Sequence, residues 1–248
     1  MNVLITSGGT KIKIDMVRNI TNMSKGTFGS RIAETFYDKE DKIDLYFLGA
    51  VNSKKPLLTK INKCFMTREL ISKDRIDFNG NEIDKSSYHI IPYETFDDYE
   101  RELFKLLNEV NFDIVILAAA VSDYTVENYV DGKIRTSDDL VIKLKPLPKL
   151  IERVRGYQPT SCICGFKLLV NSTECELFDA CIKSLTKNKI DLVVGNDLRD
   201  IKDDNHTLTI GEIDSSGNVT FNIFDKKNYN LPEVVYNKCL ESFYKKEK

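Results

Sequence analysis

The N-terminal stretch Val3-Leu4-Ile5-Thr6-Ser7-Gly8-Gly9-Thr10 is an apolar strand pattern that runs directly into a turn. Gly8 and Gly9 permit a tight turn, and the small hydroxyl residues around them leave backbone amides open to an anion. In an open parallel sheet such a turn lies at the carboxyl edge, where nucleotides and phosphates bind. A Gly-Gly turn after a strand can also be only a turn, so the stretch suggests a ligand without identifying it.

Further apolar runs follow, each separated from the next by a segment long enough for a helix: residues 43–48, 88–91, 114–119, 163–168 and 192–194. Strands rich in Val, Ile and Leu, each followed by a crossover, are typical of a parallel sheet covered on both faces. Residues 96–110 and 173–187 have the apolar periodicity of crossover helices, and Thr173 and Glu176 have capping-box spacing. A further helix is expected from about Ser30.

The C-terminal part has a different pattern. Residues 207–213 and 219–224 tend to alternate with period two around Asp214-Ser215-Ser216-Gly217-Asn218, which predicts a hairpin, and a helix follows from near Pro232. We therefore predict an α/β fold with a Rossmann-like parallel sheet flanked by helices and an antiparallel hairpin extension, in one domain over residues 1–248. Residues 52–85 and 124–139 are polar and long for connections, and such loops usually carry function or are disordered.

The composition excludes several classes of function. Lys and Arg number 36 against 38 Asp and Glu, a net charge of −2, so no single-sign field is available to hold a nucleic acid. The longest apolar run, residues 114–121, is far shorter than the about 20 residues that span a bilayer, and the N-terminus does not have the pattern of a signal peptide. Two histidines and six cysteines without CxxC spacing argue against a metal site or a histidine-dependent triad. We expect a cytoplasmic protein with reduced thiols.

Two segments carry candidate binding groups near strand ends. Arg18, Asn22, Ser24 and Lys25 group hydrogen-bond donors just before a helix N-terminus, which suits a phosphate or carboxylate. A capped helix with a solvated lead-in explains the same pattern equally well. The strand at 114–117 is followed by Ala118-Ala119-Ala120-Val121-Ser122-Asp123, whose small residues let a flat ring or a ribose approach the backbone. Tight packing of a helix on the sheet is the alternative.

Later candidates also have ordinary explanations. Lys133 stands in a polar loop, where a lysine is usually only solvated, but beside an alanine-lined shelf it could reach a triphosphate. Phe166 closes a strand and is more often a core residue than a platform for a base. Lys183 and Lys187 share a helix face at i, i+4 spacing, usually a surface pattern, and Asn188 is a plausible C-cap. Finally, two cysteines share a strand face as buried thiols: Cys162 and Cys164.

The order of these motifs is more specific than any one of them, and it resembles the phosphopantothenoylcysteine synthetase (phosphopantothenate–cysteine ligase) family in its stand-alone bacterial form. The matching motifs are Ser7-Gly8-Gly9-Thr10, Ile14-Asp15-x-Val17-Arg18-x-Ile20-x-Asn22-x-Ser24-x-Gly26, Ala118-Ala119-Ala120-Val121-Ser122-Asp123-Tyr124, Lys133-Ile134, Gly165-Phe166-Lys167-Leu168, Lys187-Asn188 and Gly195-Asn196-Asp197.

The resemblance implies a ligase of coenzyme A synthesis that joins 4'-phosphopantothenate to L-cysteine through an acyl-nucleotidylate. The nucleotide is CTP or ATP, with Mg²⁺ carried by the triphosphate. It also implies catalytic roles for Asn22, which would orient the acyl-nucleotidylate, for Arg18, which would support its phosphates, and for Lys133, which would stabilise the triphosphate. The nucleotide-binding residues it implies are Gly8, Gly9, Ser24, Gly26, Ala118, Ala119, Ala120, Asp123, Phe166, Lys183 and Lys187. The family is typically a homodimer.

The chain departs from the bacterial pattern near the nucleotide. Leu147-Pro148-Lys149 stands where many bacterial members have Asn-Pro-Asp, and Leu169 stands where they have an acidic residue. The choice between CTP and ATP is therefore open, and the resemblance along the whole chain favours CTP. One alternative is an NAD(P)-dependent oxidoreductase, although GxGxxG is missing and the second strand ends in Gly49-Ala50 without an acidic residue. A non-catalytic nucleotide-binding regulator is another.

Overall fold

The computed structural model describes residues 1–56, 87–136, 140–202, 205–214 and 216–246. The described strands are β1 Asn2–Ser7, β2 Lys11–Lys13, β3 Asn19–Thr21, β4 Asp44–Ala50, β5 Ser87–Tyr93, β6 Ile114–Leu117, β7 Tyr124–Val126, β8 Leu144–Pro146, β9 Cys162–Leu169, β10 Leu192–Asp197, β11 Thr207–Ile213 and β12 Val219–Asp225. The described helices are α1 Thr27–Lys39, α2 Phe96–Glu109, α3 Ile151–Tyr157, α4 Glu174–Asn188, α5 Leu198–Lys202 and α6 Leu231–Lys246.

The central sheet has eight described strands in the order β12-β11-β10-β9-β6-β1-β4-β5. In this sheet the neighbouring strands β10-β9-β6-β1-β4-β5 are parallel to one another. Strand β11 pairs antiparallel with β10, and β12 pairs antiparallel with β11. Taken in chain order, the parallel part is arranged 3-2-1-4-5-6, as in the Rossmann fold, and the order reverses between β1 and β6. The predicted α/β fold with its hairpin extension is therefore confirmed.

Alternation along β1 shows why both faces of the sheet are covered. Val3 and Ile5 face a core that includes α1 and α6, whereas Leu4 faces a core that includes α2, α3 and α4. Both sets are fully buried. A strand buried on both faces needs a nearly continuous apolar sequence, and this is the pattern that the N-terminal stretch contains.

Some helix boundaries differ from the predicted ones. Helix α1 begins at Thr27 because Gly26, with φ 70°, provides a left-handed N-cap. Strand β6 ends at Leu117, as predicted, and the apolar run to residue 119 continues beyond it. Asn188 is the last residue of α4 and not its C-cap, which is Lys189 in a left-handed conformation.

The segment 124–139 was expected to be a loop, but it begins with β7, which pairs with β8 in an antiparallel ribbon. Most of the other predicted loop, residues 57–85, lies outside the described residues. In the part of the chain that the structure describes, no helix has both the length and the apolar character needed to cross a membrane.

Candidate functional site

The Gly8–Gly9 turn lies at the reversal point of the sheet, between β1 and β6. Beyond the strand ends the two chains stay paired, since the amide of Ala120 donates to the carbonyl of Gly8 at 2.8 Å and Thr10 donates back to Ala120 at 3.3 Å. The Thr6 hydroxyl oxygen accepts from the amide of Ala119 at 3.2 Å. The parallel pairing of the two segments therefore continues past the strand ends.

The N-terminus of α1 crosses this turn at close range. A Cβ on Gly26 would lie 2.9 Å from Oγ of Ser7 and 3.2 Å from the amide nitrogen of Gly8. The Ser7 hydroxyl donates to the carbonyl of Gly26 at 2.9 Å, and Oγ of Ser24 accepts from the Gly26 amide at 3.4 Å. No side chain caps α1, and its first turn holds no acidic residue, so the helix dipole favours an anion at this end.

Asn22 is in contact with both sides of the turn. Its Nδ2 donates to the carbonyl of Ala120 at 2.7 Å. A Cβ on Gly9 would lie 3.1 Å from the carbonyl oxygen of Asn22, so a larger residue here would require Asn22 to shift. The structure therefore brings together predicted site residues from three separate motifs: Gly8-Gly9, Asn22 and Ala118 to Ala120.

Arg18 and the loop that contains Lys133 meet at a buried carboxylate, Asp15. Asp15 accepts from the amide of Ile134 at 3.2 Å and from NH1 of Arg18 at 2.5 Å. Burial by itself would raise the pKa of Asp15, but the hydrogen bonds from Val17, Ile134 and Arg18 outweigh it and hold the pKa at about 2. Lys133 is exposed beside this carboxylate, so the predicted catalytic residues Arg18 and Lys133 lie on segments that touch.

Asp123 is joined directly to the segment that departs from the bacterial pattern. Its carboxylate forms an ion pair with Lys149, and its carbonyl accepts from the amide of Leu147 at 2.8 Å. Both charged side chains are exposed. The substituted Leu147-Pro148-Lys149 segment therefore contacts a residue that is predicted to bind the nucleotide.

Lys183 and Lys187 are exposed on the second half of α4. Nζ of Lys187 lies 2.6 Å from a carboxylate oxygen of Glu152. Glu152 is in the first turn of α3, three residues after Lys149. Within the described residues, no hydrogen bond or ion pair ties either lysine to the Gly8–Gly9 turn. Lys187 is instead linked to the Asp123 segment, because the amide of Glu152 donates to the carbonyl of Lys149 at 3.2 Å and Lys149 pairs with Asp123.

Phe166 lies at the carboxyl end of β9 in an aromatic cluster with a residue of α1. Its ring is 6.0 Å from Phe28, which in turn is 5.3 Å from His206. Nε2 of His206 lies 2.8 Å from Oδ1 of Asn196, and burial lowers the pKa of this histidine. Sequence reasoning missed Phe28 and His206, because neither residue belongs to a local pattern that indicates a site.

The end of β4 bears on the dinucleotide alternative. Nζ of Lys55 donates to the carbonyl of Ala50 at 2.5 Å, and burial lowers the pKa of this lysine. A dinucleotide fold holds the ribose diol with an acidic residue near the end of its second strand. The described residues here place an ammonium at that point, which argues against NAD, whose ribose diol needs the acidic residue.

The described residues contain no group of three His, Cys, Asp or Glu side chains arranged as metal ligands. Their five cysteines are free, and Cys162 and Cys164 are buried as predicted.

Comparison with known proteins agrees with this geometry. The family described as the DNA/pantothenate metabolism flavoprotein C-terminal domain matches residues 1–83 and 81–230. The coenzyme A biosynthesis bifunctional protein CoaBC of Thermococcus kodakarensis is 33% identical over 84% of this chain, which spans only 44% of that relative's length.

Two solved structures share the fold over nearly the whole chain. The DNA/pantothenate metabolism flavoprotein from Streptococcus pneumoniae has a TM-score of 0.74 and 28% identity, with 97% of this chain and 99% of that chain covered. A histidine-to-alanine mutant of Cab2 in complex with phosphopantothenate-cysteine has a TM-score of 0.75 and 25% identity, with 99% and 87% covered. The chain therefore belongs to the DNA/pantothenate metabolism flavoprotein C-terminal domain family.

Proposed function

We propose that the protein is a phosphopantothenate–cysteine ligase of coenzyme A synthesis. The observation that carries the proposal is the contact of Asn22 with both Gly9 and Ala120 at the reversal point of the sheet. This point is where doubly wound sheets bind nucleotides. The name of the CoaBC relative supports a role in coenzyme A biosynthesis, and the phosphopantothenate-cysteine complex of Cab2 supports the substrates.

In the first half-reaction, the carboxylate of 4'-phosphopantothenate attacks the α-phosphate of a magnesium-bound nucleoside triphosphate. An acyl-nucleotidylate forms and pyrophosphate leaves. Such chemistry depends on positioning and charge neutralisation, because the substrate itself supplies the nucleophile. Lys133, exposed beside Asp15 and Arg18, supplies positive charge to the triphosphate, and the uncapped end of α1 supplies amide donors.

In the second half-reaction, the amine of cysteine attacks the acyl carbon, the amide bond forms and the nucleoside monophosphate leaves. Asn22 orients the acyl-nucleotidylate. One of its amide N–H bonds is held by Ala120, so the Oδ1 atom and the second N–H keep a fixed direction toward the ligand.

We favour CTP over ATP as the nucleotide. Asp123 uses one carboxylate oxygen for Lys149 and retains the other for a donor on the nucleotide. The support for CTP is the resemblance of the whole chain to bacterial members of the family. Lys149 and Leu169 depart from the bacterial pattern near the nucleotide.

The decisive assay mixes the protein with phosphopantothenate, cysteine, Mg²⁺ and either CTP or ATP. Release of the monophosphate with formation of the amide is expected, at a higher rate with CTP. No monophosphate from either nucleotide would refute the ligase. A regulator would bind the triphosphate without releasing pyrophosphate, and an oxidoreductase would bind NAD(P)H in a fluorescence titration.

We also propose that the protein is a homodimer. The part of the chain around the β7–β8 ribbon exposes a group of large apolar side chains, here named the apolar arm: Tyr124, Tyr129, Val130, Leu140, Val141 and Leu144. Large apolar side chains grouped on an exposed part of a chain are typical of a protein interface. The arm adjoins the Asp15 segment, because the amide of Val130 donates to the carbonyl of Ile14 at 3.2 Å.

A further inference from the structure

Asp15 is a buried carboxylate to which the proposed chemistry assigns no role. Its side chain is 0% exposed, although it lies between two segments that carry exposed cationic residues. A buried charge is costly unless it is paired and hydrogen-bonded. The contacts of Asp15 therefore show what the fold gains from keeping an anion at this position.

The two carboxylate oxygens serve two segments that are far apart in the sequence. Oδ1 accepts from the amides of Val17 and Arg18 at 2.8 and 2.7 Å, which closes the turn of its own segment. Oδ2 accepts from NH1 of Arg18 and from the amide of Ile134, a residue 119 positions away. NH1 of Arg18 also donates to the carbonyl of Ile134 at 3.3 Å.

Backbone hydrogen bonds support the same contact. Besides the bond from Val130 to Ile14, the amide of Met16 donates to the carbonyl of Gly132 at 3.0 Å. The residue between Gly132 and Ile134 is Lys133. The neighbours of Lys133 on both sides are thus fixed to the Asp15 segment, while its own side chain stays exposed.

Asp15 also determines which part of Arg18 can meet a ligand. NH1 is occupied by Asp15 and Ile134, and in the described part of the chain no acceptor is found for Nε or NH2 of Arg18. A guanidinium held along one edge presents its other donors in a fixed direction, the geometry that suits a phosphate.

We propose that Asp15 is a positioning residue that locks the Lys133 loop to Arg18 and so sets the geometry of the triphosphate in the first half-reaction. The role in catalysis rests on the proposed function. Asparagine cannot replace Asp15, because its amide NH₂ would face the donors of Ile134 or Arg18, and a donor cannot accept their hydrogen bonds.

The first test is structural and does not depend on activity. In Asp15→Asn, amide hydrogen exchange in residues 130–136 is expected to rise at least about tenfold, since each 1.4 kcal/mol of lost protection corresponds to that factor. Exchange in β1 is expected to stay unchanged. Unchanged exchange at 130–136 would overturn the proposal. Asp131→Asn, in the same loop and exposed, makes the same chemical change and is expected to leave exchange as in the wild type.

The second test is a double-mutant cycle on the rate of pyrophosphate formation. Asp15→Asn alone is expected to lower this rate at least about tenfold, but in a Lys133→Gln background it is expected to have less than about threefold further effect, because the Lys133 ammonium that Asp15 positions is then absent. Equal effects of Asp15→Asn in both backgrounds would overturn the proposal. If the wild type makes no pyrophosphate, the ligase proposal fails, while the exchange experiment still decides whether Asp15 locks the loop.

If Asp15→Asn does not fold, Ile134→Pro provides the same test. It removes the amide that donates to Oδ2 and leaves the carboxylate and Arg18 in place. Increased exchange at 130–133 and a slower release of pyrophosphate are expected, and wild-type values of both would contradict the role of Asp15.

Discussion

At the scale of a single residue, the role proposed for Asn22 predicts that the two half-reactions can be separated. In Asn22→Asp a carboxylate would face the carbonyl of Ala120, so the 2.7 Å hydrogen bond is lost and the side chain turns away. Pyrophosphate release is expected to continue, whereas amide formation is expected to fall about 10²-fold, the usual cost of one oriented donor. Lys133→Gln is expected to slow the earlier step, pyrophosphate release. The two products are measured separately in the same reaction.

Asn108→Asp provides the matched control, because Asn108 is exposed on α2 and carries the same chemical change. It is expected to alter neither product. Equal loss of pyrophosphate and amide in Asn22→Asp would refute the role assigned to this residue.

Gly8 tests how closely the end of β4 and the residues that follow it approach the turn. It has φ +92°, and an added Cβ would lie 2.6 Å from Cβ of Ala50 and 2.7 Å from Cβ of Ser53. Gly8→Ala is expected to lower the free energy of unfolding by about 2–4 kcal/mol, from backbone strain and overpacking together. Gly217→Ala has a similar φ of +83° and open space, so it measures the backbone cost alone. Denaturant unfolding of both variants gives the difference, and equal losses would contradict the close packing.

Residues near the turn could be predicted from sequence because their signals are local. Gly8 follows a strand directly, and the alanines follow another, so parallel strands bring both to one edge. Asp15 could not be predicted as a junction, because its partner Ile134 is 119 residues away and no periodic pattern connects them. His206 was missed for the same reason, since Phe28 and Asn196 come from separate elements.

At the scale of elements, α4 has the capping box that its sequence predicts. The Thr173 hydroxyl accepts from the amide of Glu176 at 3.3 Å, and the Glu176 carboxylate accepts from the amide of Thr173 at 2.8 Å. Thr173→Ala is expected to cost about 1 kcal/mol of unfolding free energy. Thr186→Ala, exposed in the same helix, is expected to cost nothing measurable or to stabilise slightly. Equal effects in the two variants by thermal or denaturant unfolding would contradict the cap.

The accuracy of the predicted elements follows the length of their patterns. The hairpin strand at 207–213 matches β11 because alternation over its length is a strong local signal. Strands β7 and β8 have three residues each, too few to show a period, and they form because they pair with each other. The start of α1 was predicted too late because its cap is a glycine conformation and not a side chain.

At the scale of the whole molecule, acid stability depends on a second buried carboxylate, Asp197. The amide of Ser172 contributes most to lowering the pKa of Asp197 from 3.8 to about 2, and further hydrogen bonds outweigh the effect of burial. A pKa lowered by folding adds stability above the unfolded value, and this stability is lost as the pH falls toward about 2. Asp197→Asn is therefore expected to unfold at lower denaturant concentration at pH 7 and to lose less stability than the wild type between pH 5 and pH 2. An equal loss of unfolding free energy in the two proteins between pH 5 and pH 2 would contradict this prediction.

The exposed side chains of the apolar arm predict that the protein forms a dimer. Val141 is 81% exposed, and burying such side chains between two copies would remove the apolar surface from water. Val141→Lys is expected to convert a dimer to a monomer in sedimentation velocity, because a lysine at the centre of an apolar contact is poorly tolerated. Its circular dichroism is expected to match the wild type, since the residue touches no core. Ile223→Lys places the same charge on the exposed part of β12 and is expected to leave the dimer intact. A wild-type protein that sediments as a monomer, or a dimer that Val141→Lys does not weaken, would exclude the arm as the interface.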